Sequence, residues 1–111
     1  MGTSEYRRVT SASSVPLGQM IEVNTEAGYI VLCHTNEGWF ALQNQCTHAH
    51  AKLHEGRLRG VRLICPLHGA SFDCRTGAVL GPPAVVQLKT YAVRLTGDTV
   101  EIAVDVKHPP I

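Results

Sequence analysis

The chain has 111 residues, 44% of them hydrophobic and 17% charged, with a formal net charge of +1. That length allows one domain with a modest core, and the composition is globular rather than disordered. A charge so near neutral argues against nucleic acid or an anionic membrane as partner, and no apolar run approaches the roughly 20 residues of a membrane helix.

The opening MGTSEYRRVTSASS has no apolar stretch, so it does not read as a secretory signal, and the expected location is the cytoplasm. Little of the chain reads as helix. Short runs of Val, Ile, Leu, Tyr and Thr recur between turn signals, which predicts an all-β sandwich or barrel of antiparallel sheets. A first strand is expected over 6–11, followed by a loop over 13–18. Met20–Thr25 alternates and predicts a strand, and Glu26-Ala27-Gly28 turns the chain into a strand over 29–35. Asn36-Glu37-Gly38 then turns it into 39–43, whose end delivers Cys46. Two short strands, 56–59 and 61–64, flank Gly60, with Arg57, Arg59 and Arg62 on the solvent side. A strand is expected over 70–73, a tight turn at Arg75-Thr76-Gly77 and a rigid loop at Gly81-Pro82-Pro83, because proline fixes φ and removes donors. A last hairpin is predicted from 87–95 and 99–104 across Thr96-Gly97-Asp98, with a frayed tail over 107–111.

Two segments carry the chemistry. Cys46-Thr47-His48 and Cys65-Pro66-Leu67-His68 each offer a soft thiolate and an imidazole, and sixteen residues, 49–64, lie between the pairs. Donors of this kind on two adjacent short loops suit a tetrahedral zinc ion. They equally suit a two-iron, two-sulfide cluster with two Cys on one iron and two His on the other. Cys33 alternates with Val31 in an apolar strand and reads as a small buried hydrophobe. Cys74 reads as a structural or partly exposed thiol, and a Cys33–Cys74 disulfide is poorly motivated in a reducing compartment.

The wider runs CTHAHAKLHEG and GVRLICPLHGASFDCRTGAVLGPPA resemble the Rieske iron-sulfur family, with its C-x-H, a gap of this size, then C-P-x-H-G. Within it the chain is most similar to the small ferredoxins of bacterial aromatic-ring dioxygenase systems, of biphenyl or carbazole type. The resemblance spans about 38–104. It implies a single Rieske domain over 1–111, with a cluster-binding subdomain over about 45–83 inserted in a base of antiparallel sheets. It implies one [2Fe-2S] cluster, with Cys46 and Cys65 on the inner iron and His48 and His68 on the outer. Imidazoles in place of two thiolates make such a site less negative and raise its potential relative to an all-Cys cluster. On this resemblance the outer rings form the electron exit, and reduction raises their proton affinity by Coulomb attraction. Gly69 would admit backbone N–H groups near the sulfides, Pro66 would stiffen its loop, and 81–83 would shield a further side.

Departures from the family pattern carry an expectation of their own. Respiratory Rieske proteins have an extra, disulfide-bonded cysteine in each loop, and Ala51 and Leu67 stand at those places here. Hydroxyl donors to the cluster are replaced by Ala70 and Phe72. Losing hydrogen bonds to sulfur lowers the potential, so a midpoint of about −150 to 0 mV is expected. His50 and His54 are expected to be exposed side chains, and His34 and His108 to have no role in the site. Trp39 and Phe40 are expected to pack their hairpin. Lys52, Arg57, Arg59, Arg62 and Arg75 read as solvated, or alternatively as steering an acidic partner.

The function so implied is a one-electron carrier between a ferredoxin reductase and a terminal oxygenase with its own Rieske centre, monomeric, with no bond chemistry of its own. An oxygenase subunit would need a further domain bearing a two-His, one-carboxylate iron site, for which 111 residues leave no room. A structural zinc module and a small Rieske-like subunit of a reductase such as nitrite reductase stand as alternatives.

Overall fold

The structure is a computed structural model and describes residues 2–47, 50–67 and 69–107. Among these the secondary structure is all antiparallel β, with two single 3-10 turns at Ala12–Ser14 and Leu53–Glu55. The first sheet sets β11 (Thr99–Lys107) between β1 (Gly2–Ser11) and β10 (Val93–Thr96). The second runs in the order β2 (Met20–Thr25), β3 (Gly28–Thr35), β4 (Gly38–Gln43), β9 (Thr90–Tyr91). The third is a meander of β5 (Arg57–Arg59), β6 (Arg62–Ile64), β7 (Ser71–Asp73) and β8 (Val79–Gly81).

The turns of the second sheet repeat one piece of chemistry. Thr25 and Thr35 each accept the N–H two residues on, from Ala27 and Glu37, and donate to the carbonyl of Gly28 and Gly38. Both glycines sit at positive φ, +100° and +129°, where an L side chain would be strained. Threonine and glycine together therefore fix a two-residue loop and the register of β2–β3–β4.

Strand β3 shows why a middle sheet is needed. Successive side chains point to opposite faces, and here both faces are covered. Ile30 and Leu32 pack with Val100, Ile102 and Val104 of the first sheet. Val31 and Cys33 join Leu53, Leu63, Phe72 and Leu88 in a second core beneath the third sheet. Each fully buried Leu, Ile or Phe of these cores contributes about 1.5–3 kcal/mol by leaving water. Cys46 and Cys65 belong to the second core.

Three sequence expectations are corrected. The first strand starts at Gly2, not 6, because its backbone continues to pair with β11 as far as Lys107. The expected strand 87–95 is divided. Thr90 and Tyr91 pair with Leu42 and Ala41 of β4, whereas Val93 onwards pairs with β11, so the chain changes sheets at Ala92. Finally, Val79–Gly81 is a strand on β7, with an irregularity between Ser71 and Phe72, and the loop begins only at the cis-bonded Pro82–Pro83.

Candidate metal centre

Two loops close in the same way. The Cys46 N–H donates to the Ala51 carbonyl at 2.9 Å, and the Cys65 N–H donates to the Ala70 carbonyl at 2.7 Å. Each bond joins a cysteine to the residue five positions on, and both closing alanines are buried. Cys46 follows β4 and Cys65 follows β6, so a rigid strand delivers each thiol. The two are 3% and 2% exposed and hydrogen-bonded to one another. Burial pushes the Cys65 thiol up, the Leu67 N–H opposes this, and Cys46 adds to the rise. Two thiolates so placed are desolvated and repel each other; a cationic metal centre removes both penalties. The donor chemistry therefore fits a metal-sulfur group. His48 and His68, the other two expected ligands, lie outside the described residues. In sequence each falls between its cysteine and the closing alanine.

Support for the first loop is polar. Asn44, 2% exposed, donates from Nδ2 to Glu22 Oε2 at 2.7 Å and to His54 Nδ1 at 2.8 Å. Its Oδ1 accepts the His54 N–H at 2.8 Å, and its own N–H reaches the Tyr29 carbonyl at 3.1 Å. Glu22 also takes Lys52 Nζ at 2.9 Å, and that ammonium lies 4.2 Å from the centre of the Tyr29 ring. The Lys52 bond, helped by Asn44, holds the Glu22 carboxyl below the usual carboxylate range. One expectation changes as a result: His54 is half-buried and bonded rather than exposed. Lys52 is exposed, as expected, with its ammonium paired to Glu22.

Support for the second loop is steric. A Cβ on Gly56 would stand 1.9 Å from the Ile64 carbonyl oxygen and 3.1 Å from Pro66 N. The exit of the first loop thus lies directly on the entry to the second. Gly69 sits at φ +72°, with nothing within 4 Å of an added Cβ, so backbone conformation alone explains its identity. A third segment leans on the pair: Thr47 Oγ1 donates to the Val86 carbonyl at 2.6 Å, while Ala84 and Leu88 anchor that segment in the core. Leu67, Val85 and Val86 leave apolar surface exposed at this end.

The remaining candidates are structural. Cys33 and Cys74 are buried, unbridged thiols, so of the two readings of Cys74 the structural one holds and the partly exposed one does not. The hydrogen bond to Cys74, with burial, pushes the Cys33 thiol up, and the same bond pulls Cys74 down. His34 stacks on Trp39 at 3.9 Å between ring centres, with Nδ1 2.8 Å from the Val15 carbonyl oxygen. His50 is exposed and bonded to Gln45, and His108 lies outside the described residues. Ser71 Oγ accepts Arg62 Nη1 at 2.7 Å, while Ala70 and Phe72 are buried and bring no hydroxyl. Asn44 and Gly56 were not singled out from sequence. A polar residue two before Cys46 was the only signal for Asn44, and an ordinary turn explains it equally well.

Comparison with known proteins bears directly on these loops. The profile of the Rieske [2Fe-2S] domain matches residues 5–92. The naphthalene 1,2-dioxygenase system ferredoxin component of Pseudomonas aeruginosa is 32% identical over 100 residues, covering 90% of this chain and 96% of the relative. The biphenyl dioxygenase ferredoxin subunit of Pseudomonas sp. (strain KKS102) is 36% identical over 93 residues, covering 83% and 85%. Among solved structures, a complex of reduced oxygenase and oxidized ferredoxin in carbazole 1,9a-dioxygenase matches with a TM-score of 0.84 and 30% identity, over 88% of this chain and 92% of that one. Among the described residues no helix is long and apolar enough to cross a membrane.

Proposed function

Because this chain belongs to the Rieske [2Fe-2S] domain family, we propose that it is a one-electron carrier, the ferredoxin component of an aromatic-ring dioxygenase system. We assign one [2Fe-2S] cluster to Cys46, His48, Cys65 and His68, the cysteines holding one iron and the histidines the other. The observation that carries this reading is the matched closure of two loops around a buried pair of thiols. The cluster, when bound, supplies a site that takes up and releases a single electron. The chain supplies the rest. Buried Cys46 and Cys65 keep water from the sulfur side, and loops tied to strand ends change little in shape when charge arrives. The unit over about 45–83, which contains the third sheet, is proposed as the cluster-binding subdomain of a single domain spanning 1–111.

The partners proposed are a ferredoxin reductase as donor and a terminal oxygenase with its own Rieske centre as acceptor, each meeting a monomer in turn. Relatives named as ferredoxin components of dioxygenase systems support this, as does a ferredoxin solved in complex with an oxygenase. A cytoplasmic location agrees with four cysteines outside any disulfide. The test is compositional and electronic. Purified protein should contain two irons and two acid-labile sulfides per chain and take up one electron in an anaerobic dithionite titration. Stoichiometric zinc without sulfide would replace this reading with a structural zinc module.

A further inference from the structure

The β5–β6 hairpin presents three arginines to solvent. Leu58 and Leu63 are paired across the strands and turn inward, while Arg57, Arg59 and Arg62 are exposed. Arg59 and Arg62 are direct cross-strand partners. Like charges so placed repel, at a cost to the ladder. Most other described cations have an acidic partner: Arg7 has Glu5 and Glu26, Lys52 has Glu22, Arg75 has Asp73 and Glu37, and Arg94 has Glu101. Arg8 faces Glu101 across the β1–β11 ladder, and Lys89 stands over Tyr91 in another sheet. None of Arg57, Arg59 and Arg62 has a carboxylate within 4.0 Å among the described residues. Asp73, the cross-strand neighbour of Arg62 on β7, is gripped by Arg75 through both oxygens, and Arg62 turns to the Ser71 hydroxyl instead.

Position gives this charge a use. Arg57 pairs across the strands with Ile64, the residue before Cys65, and lines the same surface cleft as Cys65, Pro66 and Gly69. The strip thus begins at the second ligand loop and continues along β5, an edge of its sheet. Charges on an edge strand can simply discourage edge-to-edge association. That role requires neither a like-charged pair in register nor a place beside the metal loop.

We propose that Arg57, Arg59 and Arg62 form the docking surface for a carboxylate-rich face of the protein that exchanges electrons at the second ligand loop. The inference rests on the carrier reading above. Its test uses the reduced holoprotein of wild type, R59E and the double variant R57Q/R59Q, mixed with a trianionic oxidant, hexacyanoferrate(III), and with hexaammineruthenium(III), a cation. One electron passes from protein to oxidant in either case. R8E, on the first sheet, is the control that changes net charge by the same amount as R59E.

At low salt the rate with hexacyanoferrate(III) should fall about threefold or more in R59E and R57Q/R59Q, with a flatter salt dependence. The cationic oxidant should react faster, and R8E should change far less. The thermal midpoint of R59E should equal or exceed wild type, because Arg62 gains an opposite charge across the ladder. Slower exchange in a variant that is no less stable marks a surface kept for a partner. Equal effects of R8E and R59E, or unchanged rates with cluster absorption intact, would overturn the proposal. So would self-association of the double variant at unchanged rates, which identifies an edge guard. If wild-type protein holds no cluster, the carrier reading fails instead.

Discussion

The Cys46 and Cys65 loops share a backbone closure and differ in what secures it. The Cys46 loop is held by side chains: Asn44 joins Glu22 to His54, and Glu22 fixes Lys52. The Cys65 loop is held by proximity, with Gly56 against the Ile64 carbonyl and with Leu63 and Phe72 packed beneath. A polar network tolerates partial loss, because water can replace a partner at a half-exposed position. A backbone contact with no room for a methyl group does not. The geometry of the second loop should accordingly be the stiffer, and its failures abrupt.

Substitutions that attack one support at a time test this contrast. The largest effect is expected for Gly56→Ala, which forces a carbon to 1.9 Å from the Ile64 oxygen. A loss of about 4 kcal/mol, or failure to retain the cluster's visible absorption, is expected. Near-normal urea unfolding of this variant would remove the steric account. Asn44→Ala comes next. It removes the buried amide that joins half-buried Glu22 and His54 and should cost about 1–2 kcal/mol by the same assay, with the cluster retained.

Ala70→Ser tests the expectation of a low potential. Ala70 lies at the closing bond of the second loop. One new hydrogen bond worth about 0.5–1.5 kcal/mol in the reduced state corresponds to roughly 20–60 mV upward for a one-electron couple. An unchanged midpoint, from potentiometric titration, would mean that this position does not govern the potential.

The smallest effect concerns pH. The Lys52 bond depresses the Glu22 carboxyl below its ordinary value of 4.5 in the folded state. A depressed carboxyl stabilises the fold above that ordinary value and ceases to do so as pH falls through the folded one. Glu22→Gln should therefore flatten the fall in stability below about pH 4.5, in urea midpoints compared with wild type. Only part of the slope should go, because Asp73, Glu26 and Glu101 are depressed as well. An identical slope would show that the Lys52–Glu22 pair contributes nothing to folding.

Much of the middle sheet was legible in the sequence, since the turns ending at Gly28 and Gly38 and two-residue alternation are local. So was the solvent side of Arg57, Arg59 and Arg62, read from their polarity. The division of 87–95 was not. Alternation says which face a residue takes but not which sheet its strand joins, and Ala92 carries no mark of the change. Strand Val79–Gly81 was hidden by the prolines that follow it. Within the site, the cysteines announced themselves by spacing. Asn44, Glu22 and Lys52 did not, because the Asn44–Glu22 and Lys52–Glu22 bonds span 22 and 30 positions, distances at which sequence pattern says nothing. Lys52 reads from sequence only as solvated or as a steering charge, and its pairing with Glu22 carries no local mark.

The central claim is that these loops hold a cluster with mixed Cys and His ligation. The electron paramagnetic resonance spectrum of the anaerobically dithionite-reduced protein tests it most directly. A rhombic signal with a low average g, as two His and two Cys ligands give, is the result expected. Absence of any signal from protein carrying stoichiometric zinc would contradict the claim and leave the four donors as a structural site.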